Sequence, residues 1–228
     1  MTVTVYYANY DNVILNDPEP LASTVVDMLA GKTRSLQCPA FKEYFKNTFV
    51  LKYPFDYQIS WDGENITSNM YDQTFFDRSV LPRDIKAGFF SLLHPASVFY
   101  TDSDDLEMEM LPAYFHKNEL TTNGFLIPGA FNIGKHLPRR LEAPYKLSNK
   151  IDINIQNNDA IFYIKFRTKE KIEFKKFIMT DSMKKIVDGY LNITGKTISI
   201  HSLQWWYDLV SRNRLKKYFI KEIKKNLL

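Results

Sequence analysis

The histidines and two glutamates are the side chains of this sequence best suited to binding a metal. His94, His116, His136 and His201 are at least 20 residues apart, and none has a partner at the HxH or HxD spacing that iron and zinc sites on β-rolls use. Glu107 and Glu109 alternate with apolar residues and are expected to share one strand face with each other.

Two interpretations of this glutamate pair stay open. In the first, His94 or His116 joins the pair in space to make a metal site of His94, Glu107, Glu109 and His116, which would support an enzyme on a roll scaffold. Alternatively, glutamates opposite leucine and methionine are what any half-buried strand presents. The Asp102–Asp105 run is predicted to be a solvated turn, because it has neither the glycine nor the distant glutamate of an EF-hand loop.

Motifs for nucleophilic or nucleotide chemistry are missing from the sequence. There is no G-x-S-x-G and no glycine-rich phosphate loop, and only 8 glycines are present in 228 residues. The single cysteine, Cys38, precedes a proline at a predicted helix start, where a thiol can be activated. We instead expect it to be a small buried apolar side chain. The sequence thus favours a protein that is not an enzyme and has no cofactor.

The C-terminal stretch is the strongest binding candidate in the sequence. Residues 212–228 carry seven basic side chains and one acidic, a net charge of +6, whereas the whole chain carries +4. This basic helix, predicted over about Leu203 to Asn226, is expected to bind through the following residues: Trp205, Trp206, Arg212, Arg214, Lys216 and Lys217. Three interpretations of this helix stay open: its apolar stripe packs on the rest of the protein, it inserts into a partner protein as a helix in a groove, or its basic side chains contact nucleic-acid phosphates.

The elements that must position these residues are mostly strands. Between Lys86 and Phe177, short apolar segments follow one another with turns between them, and several alternate strictly: Leu106, Met108 and Met110 point opposite to the glutamates. The fold class predicted is therefore mainly β (α+β), an antiparallel β-sandwich or jelly-roll-like body with short N-terminal helices and a C-terminal helical pair.

The predicted organisation is a β-rich domain over residues 1–178 and a helical segment over 179–228 packed on it. The first strand is expected over Thr2 to Ala8, followed by short helices at Leu21–Ala30 and after Pro39. The stretch from Tyr71 to Asp84 is predicted to be loop. A further helix starts near Ser182, and Gly195 is expected to end it.

Bulk properties narrow the class of protein. No apolar run of about 18 residues is present, so no membrane contact is predicted, and the N-terminal residues do not resemble a secretory signal. A lone cysteine cannot form a disulfide within the chain. These features favour a soluble protein made in a reducing compartment and not secreted by a signal peptide.

Four stretches of the sequence carry a resemblance to a known family: CPAFKEYFKNTFVLKYPFDYQI, LEMEMLPAYFHKNEL, NGFLIPGAFNIGKHLPR and AIFYIKFRTKEKIEFKKF. At these stretches the chain resembles a family of proteins from marine tailed phages, T4-like bacteriophages especially. The resemblance implies a viral protein located in the host cytoplasm or the virion. No activity is established for that family, so it assigns no residue a role.

A second resemblance concerns the fold. The segment IQNNDAIFYIKF is similar to the polar turn and apolar strand of β-clip and jelly-roll proteins, including dUTPase-like enzymes. The acidic and glycine-bearing nucleotide motifs of those enzymes are not found in this sequence, so only the fold expectation is kept.

These observations lead to one function and two alternatives. The leading prediction is a phage-encoded, non-enzymatic binding or virion-assembly protein, homo-oligomeric and with a protein partner that is itself, another phage protein or a host protein. The first alternative is a metal- or small-molecule-dependent enzyme on the β-scaffold. The second is non-specific nucleic-acid binding through the basic C-terminal helix.

Overall fold

The computed structural model describes residues 2–12, 16–29, 38–68, 73–93, 97–138, 140–197, 205 and 215–228. The fold is mainly β, with 42% strand and 24% helix, and contains several antiparallel sheets and a C-terminal helix. The predicted fold class is therefore confirmed.

Fifteen strands make up the β part in the described residues. They are β1 Thr2–Asn9, β2 Glu19–Pro20, β3 Thr48–Lys52, β4 Tyr57–Trp61, β5 Ile66–Thr67, β6 Val80–Asp84, β7 Phe89–Leu92, β8 Ser97–Thr101, β9 Glu107–Pro112, β10 Gly124–Leu126, β11 Gly129–Asn132, β12 Ala143–Leu147, β13 Ile151–Ile155, β14 Ala160–Phe166 and β15 Lys171–Lys176. Most are three to six residues long, which is typical of strands in a layered β protein.

Six helices are described alongside the strands. They are α1 Leu21–Leu29, α2 Pro39–Phe45, α3 Gln73–Ser79, α4 Glu119–Asn123, α5 Asp181–Thr197 and α6 Leu215–Lys225. Pro39 begins α2, where its missing N–H costs no hydrogen bond. Asn118 caps α4 by accepting a hydrogen bond from the Thr121 N–H at 2.8 Å.

The strands form four sheets. Their orders are β15-β1-β8, β10-β12-β7-β6, β11-β9-β14-β3-β2 and β13-β4-β5. The pairings among the described strands are antiparallel apart from β1 and β15, which run parallel. We refer below to the second of these as the four-stranded sheet and to the third as the five-stranded sheet.

The period-two pattern places alternate side chains on opposite faces, as predicted. Met108 and Met110 of β9 are buried in the largest cluster of apolar side chains, which also contains Phe90 and is called the main core below. Glu107 and Glu109 lie on the other face of β9 and are partly exposed. In β13, Ile153 and Ile155 are buried and Asp152 is exposed. Burying one face of each strand and solvating the other fixes the register of these pairs.

The C-terminal helices pack on the sheet that contains β1. Four apolar side chains of these helices are fully buried against one face of that sheet: Met183 and Val187 of α5, and Phe219 and Ile223 of α6. A β-bridge between Phe177 and Leu227 also joins the end of the chain to the residue that follows β15. The apolar stripe of α6 is thus buried against the β-body in the structure.

Three local predictions were wrong. The stretch from Tyr71 to Asp84 was predicted to be loop, but α3 and β6 lie within it, because Phe76 and Val80 are buried in the main core. Gly195 does not end α5, which continues to Thr197. Cys38 is exposed and not buried, because it precedes the first turn of α2, outside the apolar stripe of that helix.

Candidate functional site

The predicted binding residues of the C-terminal helix are only partly described. Trp206, Arg212 and Arg214 lie outside the described residues, and Trp205 is exposed. Lys216 and Lys217 both lie in the first turn of α6 but differ in environment. The Lys216 side chain is only 14% exposed, whereas Lys217 is exposed to solvent.

Lysines of α6 are held by the acidic turn between β8 and β9. The Lys216 ammonium donates to the Ser103 carbonyl at 3.0 Å and to Asp104 Oδ1 at 2.6 Å. This hydrogen bond from Lys216 holds the pKa of Asp104 below its usual value. Lys224 Nζ lies 3.3 Å from Asp102 Oδ2. Part of the helix's positive charge is therefore matched inside the molecule, which leaves less of it for a nucleic acid.

The glutamates of the proposed metal site are engaged by an arginine. Arg167 Nε lies 2.9 Å from Glu107 Oε1, and its Nη2 lies 3.1 Å from Glu109 Oε1. Among the described residues, no group of three or more His, Cys, Asp or Glu side chains is placed to hold a metal ion. His94 lies outside the described residues, so the four-residue metal site stays a prediction.

His116, the remaining member of that site, belongs to a cluster of aromatic side chains. Its Nδ1 lies 2.6 Å from the Tyr163 hydroxyl, which also accepts the Phe115 N–H at 3.1 Å. Next to Tyr163, Tyr114 donates its hydroxyl to that of Tyr44. Sequence reasoning did not find this cluster, because its members come from α2, β14 and the turn after β9.

The environment of His116 favours the neutral imidazole. Burial, and then the charge of Lys52, lower the pKa of His116, while Glu19 acts in the opposite direction. A neutral ring with its proton on Nε2 accepts a hydrogen bond from the Tyr163 hydroxyl at Nδ1. The pair thus works as a neutral hydrogen bond that anchors the turn after β9 to the five-stranded sheet.

A pH dependence of stability follows from this lowered pKa. The unfolded chain has a histidine pKa of about 6.5, so below that pH it binds a proton before the folded chain does, and the free energy of unfolding falls. One proton limits the slope to about 1.4 kcal/mol per pH unit. The free energy of unfolding is measured by urea titration at pH 7.5 and at pH 5.5. Between these two pH values we expect His116→Gln to lose less stability than the wild type, since the carboxylates contribute the same loss to both proteins. Equal losses would contradict the assignment.

A small cavity lies between the five-stranded sheet and the loop after β11. Its volume is about 10 Å³, and its walls are formed by Phe99, Met108, Phe131, Ile133, His136, Leu137 and Leu141. That volume is room for about one water molecule, whereas pockets for organic ligands measure hundreds of Å³. The cavity therefore offers no room for a substrate.

The outer face of the four-stranded sheet carries two of the large apolar side chains that the structure shows exposed, Phe125 and Ile127. Phe89 of β7, Lys146 of β12 and Phe125 of β10 are direct cross-strand neighbours. Residues in such register point to the same side of a sheet. Leu81 and Ile127 lie on this side as well, since Leu81 pairs with Ser91 and Ile127 donates its N–H to Pro144.

Side chains of this face are unusually exposed for their type. Phe125 is 67% exposed and Ile127 is 42% exposed. Neither of them, nor Phe89 or Leu81, belongs to any of the three core clusters. The opposite face of the same strands is buried in the main core, as Leu126 illustrates. Large apolar side chains exposed together on one face of a sheet point to an interaction site.

Charged side chains lie among the apolar ones on the outer face. Arg83 donates to the Ser91 hydroxyl and forms an ion pair with Glu142. Lys146 and Asp84 are exposed on the same face. The face thus combines exposed apolar side chains with exposed charges of both signs, which a protein partner can match.

The edge of the sheet beside this face is protected, unlike the face itself. The Gly124 N–H of edge strand β10 donates a hydrogen bond to the Leu120 carbonyl in α4, so it cannot pair with a further strand. Pro128, which follows β10, has no N–H to offer a further strand. An added strand could therefore form few hydrogen bonds here, so a partner would bind through side chains of the face.

Sequence reasoning missed this surface, although one signal for it was present. In the segment GFLIPG, Phe125 and Ile127 share one face and Leu126 takes the other. Since both faces are apolar, the pattern cannot say which one is buried. That choice depends on β12 and β7, which are distant in sequence.

No protein-family model matches this chain, and no relative is found among curated proteins. None of the described helices is long and apolar enough to span a membrane. The site is therefore interpreted from its own geometry.

Proposed function

We propose that this chain is a non-enzymatic binding protein whose partner is a protein, and that it acts in the virion or in its assembly. The observation that carries this proposal is the outer face of the four-stranded sheet, with Phe125 and Ile127 exposed and the charged Lys146 beside Phe125. Burying such side chains from water supplies about 25 cal/mol per Å² of apolar area. The charges on this face would then set the orientation of the partner.

The sites expected for an enzyme support the same choice. Glu107 and Glu109 form ion pairs with Arg167. His116 is hydrogen-bonded to Tyr163. In the C-terminal helix, Lys216 serves an internal contact. Nucleic-acid binding through the remaining basic residues and a metal-dependent reaction both stay alternative predictions, without an observation that favours them. A phage origin rests on the sequence resemblance alone.

The proposal is tested by comparing two matched variants in native mass spectrometry of the purified protein. Ile127 is 42% exposed on the proposed face, and Ile178 is 43% exposed elsewhere. The wild type is expected to carry protein mass beyond one chain, because the face binds a protein. Ile127→Glu is expected to release that mass, since a buried charge costs far more than the apolar contact it replaces, and Ile178→Glu to retain it. A single chain in all three samples, or one carrying a small-ligand adduct, would contradict the proposal.

A further inference from the structure

The row of residues across the outer face has a charge pattern that fits a copy of itself. From edge to edge, the row reads Asp84, Phe89, Lys146 and Phe125, because each residue is the register partner of the next. Strands in a sheet are about 4.8 Å apart. An acidic and a basic side chain thus lie on either side of Phe89, each one strand away from it.

From these opposite charges on the two sides of Phe89, we propose that the partner at the outer face is a second copy of the same chain. The two copies would form a twofold dimer whose axis passes near Phe89. This inference rests on the proposed function. A twofold axis that passes at Phe89 and runs parallel to the strands places Asp84 of each copy opposite Lys146 of the other, and stacks the two Phe89 side chains between these two ion pairs. An axis at Lys146 would instead oppose two lysines.

The same axis gives the most exposed apolar residues a contact. Phe125 and Ile127 of each copy extend past the β6 edge of the other, beside its Leu81, which is half-buried and outside the core clusters. Neither Lys146 nor Asp84 forms an ion pair within the described part of its own chain. Both are therefore available to the second copy, with Asp84 keeping its contact to the Ala87 N–H.

A charge exchange tests this arrangement without changing the apolar contacts. In Asp84→Lys, both symmetry-related pairs become lysine with lysine, and in Lys146→Asp both become aspartate with aspartate. Each variant alone is expected to dimerise at least about tenfold more weakly than the wild type in sedimentation velocity, since like charges across an interface are costly. An equimolar mixture of the two restores opposite charges at both pairs, so it is expected to form the mixed dimer with near wild-type affinity.

Recovery in the mixture also shows that both variants are folded. Asp152→Lys, at an exposed position of β13 on another sheet, serves as the control and is expected to leave the wild-type dimer unchanged. A wild type that stays a single chain at all concentrations would overturn the inference, and so would a mixture that is no tighter than its components.

The failure of this inference can be told apart from the failure of the proposed function. If Ile127→Glu releases a different protein while the wild type alone sediments as one chain, the outer face binds a protein but not a second copy. If neither Ile127→Glu nor the charge exchange has any effect, the face is not a binding site.

Discussion

Replacing Phe162 with alanine is expected to lower the free energy of unfolding by about 3–5 kcal/mol. Phe162 is 2% exposed and lies in β14, which has β3 on one side and β9 on the other in the five-stranded sheet. Its side chain faces the main core. Removing the ring loses its transfer free energy and leaves a cavity that two flanking strands cannot easily close.

Chemical denaturation with urea measures this loss, and Lys165→Ala provides the comparison. Lys165 lies on the opposite face of β14, over the Tyr44 ring at 4.1 Å from its centroid. Losing that contact is expected to cost no more than about 1 kcal/mol. If Lys165→Ala proved the more damaging change, the two faces of β14 would have been assigned in reverse.

Phe219→Ala is expected to have an effect of similar size, about 3–5 kcal/mol. Phe219 is fully buried between α6 and the sheet that contains β1, where it contacts Tyr100 edge-to-face at 6.4 Å between ring centroids. A helix that projected into solvent to reach a partner would lose almost nothing. The variant therefore measures how firmly α6 is held on the β-body.

The neighbouring lysines give the internal control for Phe219. Lys217→Ala and Lys221→Ala remove exposed side chains of the same helix, so each is expected to change the free energy of unfolding by at most about 0.5 kcal/mol. Cooperative unfolding by circular dichroism in urea follows both kinds of variant. A loss below about 1 kcal/mol for Phe219→Ala would show that α6 is not packed as described.

The strands could be predicted from the sequence because their information is local. Strict alternation in Leu106–Met110 and Ile151–Ile155 identifies both the strand and its wet face. Turn residues add to this: Asn158 has a φ of 70° and Gly63 a φ of 98°, conformations that asparagine and glycine tolerate.

Features set by distant partners were not predictable in the same way. Val80 begins β6 only because β7 pairs with it through Leu92, and the Tyr71–Asp84 stretch without that partner resembles a loop. The basic character of the last helix was evident, but its contact between Lys216 and Asp104 spans 112 residues. A count of the charges in this segment predicts a binding surface whether or not another part of the same chain already pairs with those charges.

The outer face of the four-stranded sheet shows the same limit at the candidate site. Its apolar residues come from β6, β7 and β10, and only the sheet order brings them together. The sequence favoured the C-terminal helix as the binding element, because charge and tryptophan cluster there within one segment. A surface assembled from four strands leaves no comparable local signature.

The account is tested most directly by measuring whether the outer face becomes covered. In a Cys38→Ser background, Ile127→Cys and Ile178→Cys place a thiol at two positions that are 42% and 43% exposed in the single chain. Their maleimide labelling rates are compared over a rising concentration of protein. We predict that labelling at position 127 slows as the concentration rises while labelling at position 178 does not change. Rates that remain equal and constant at both positions would contradict the assignment of this face as the binding surface.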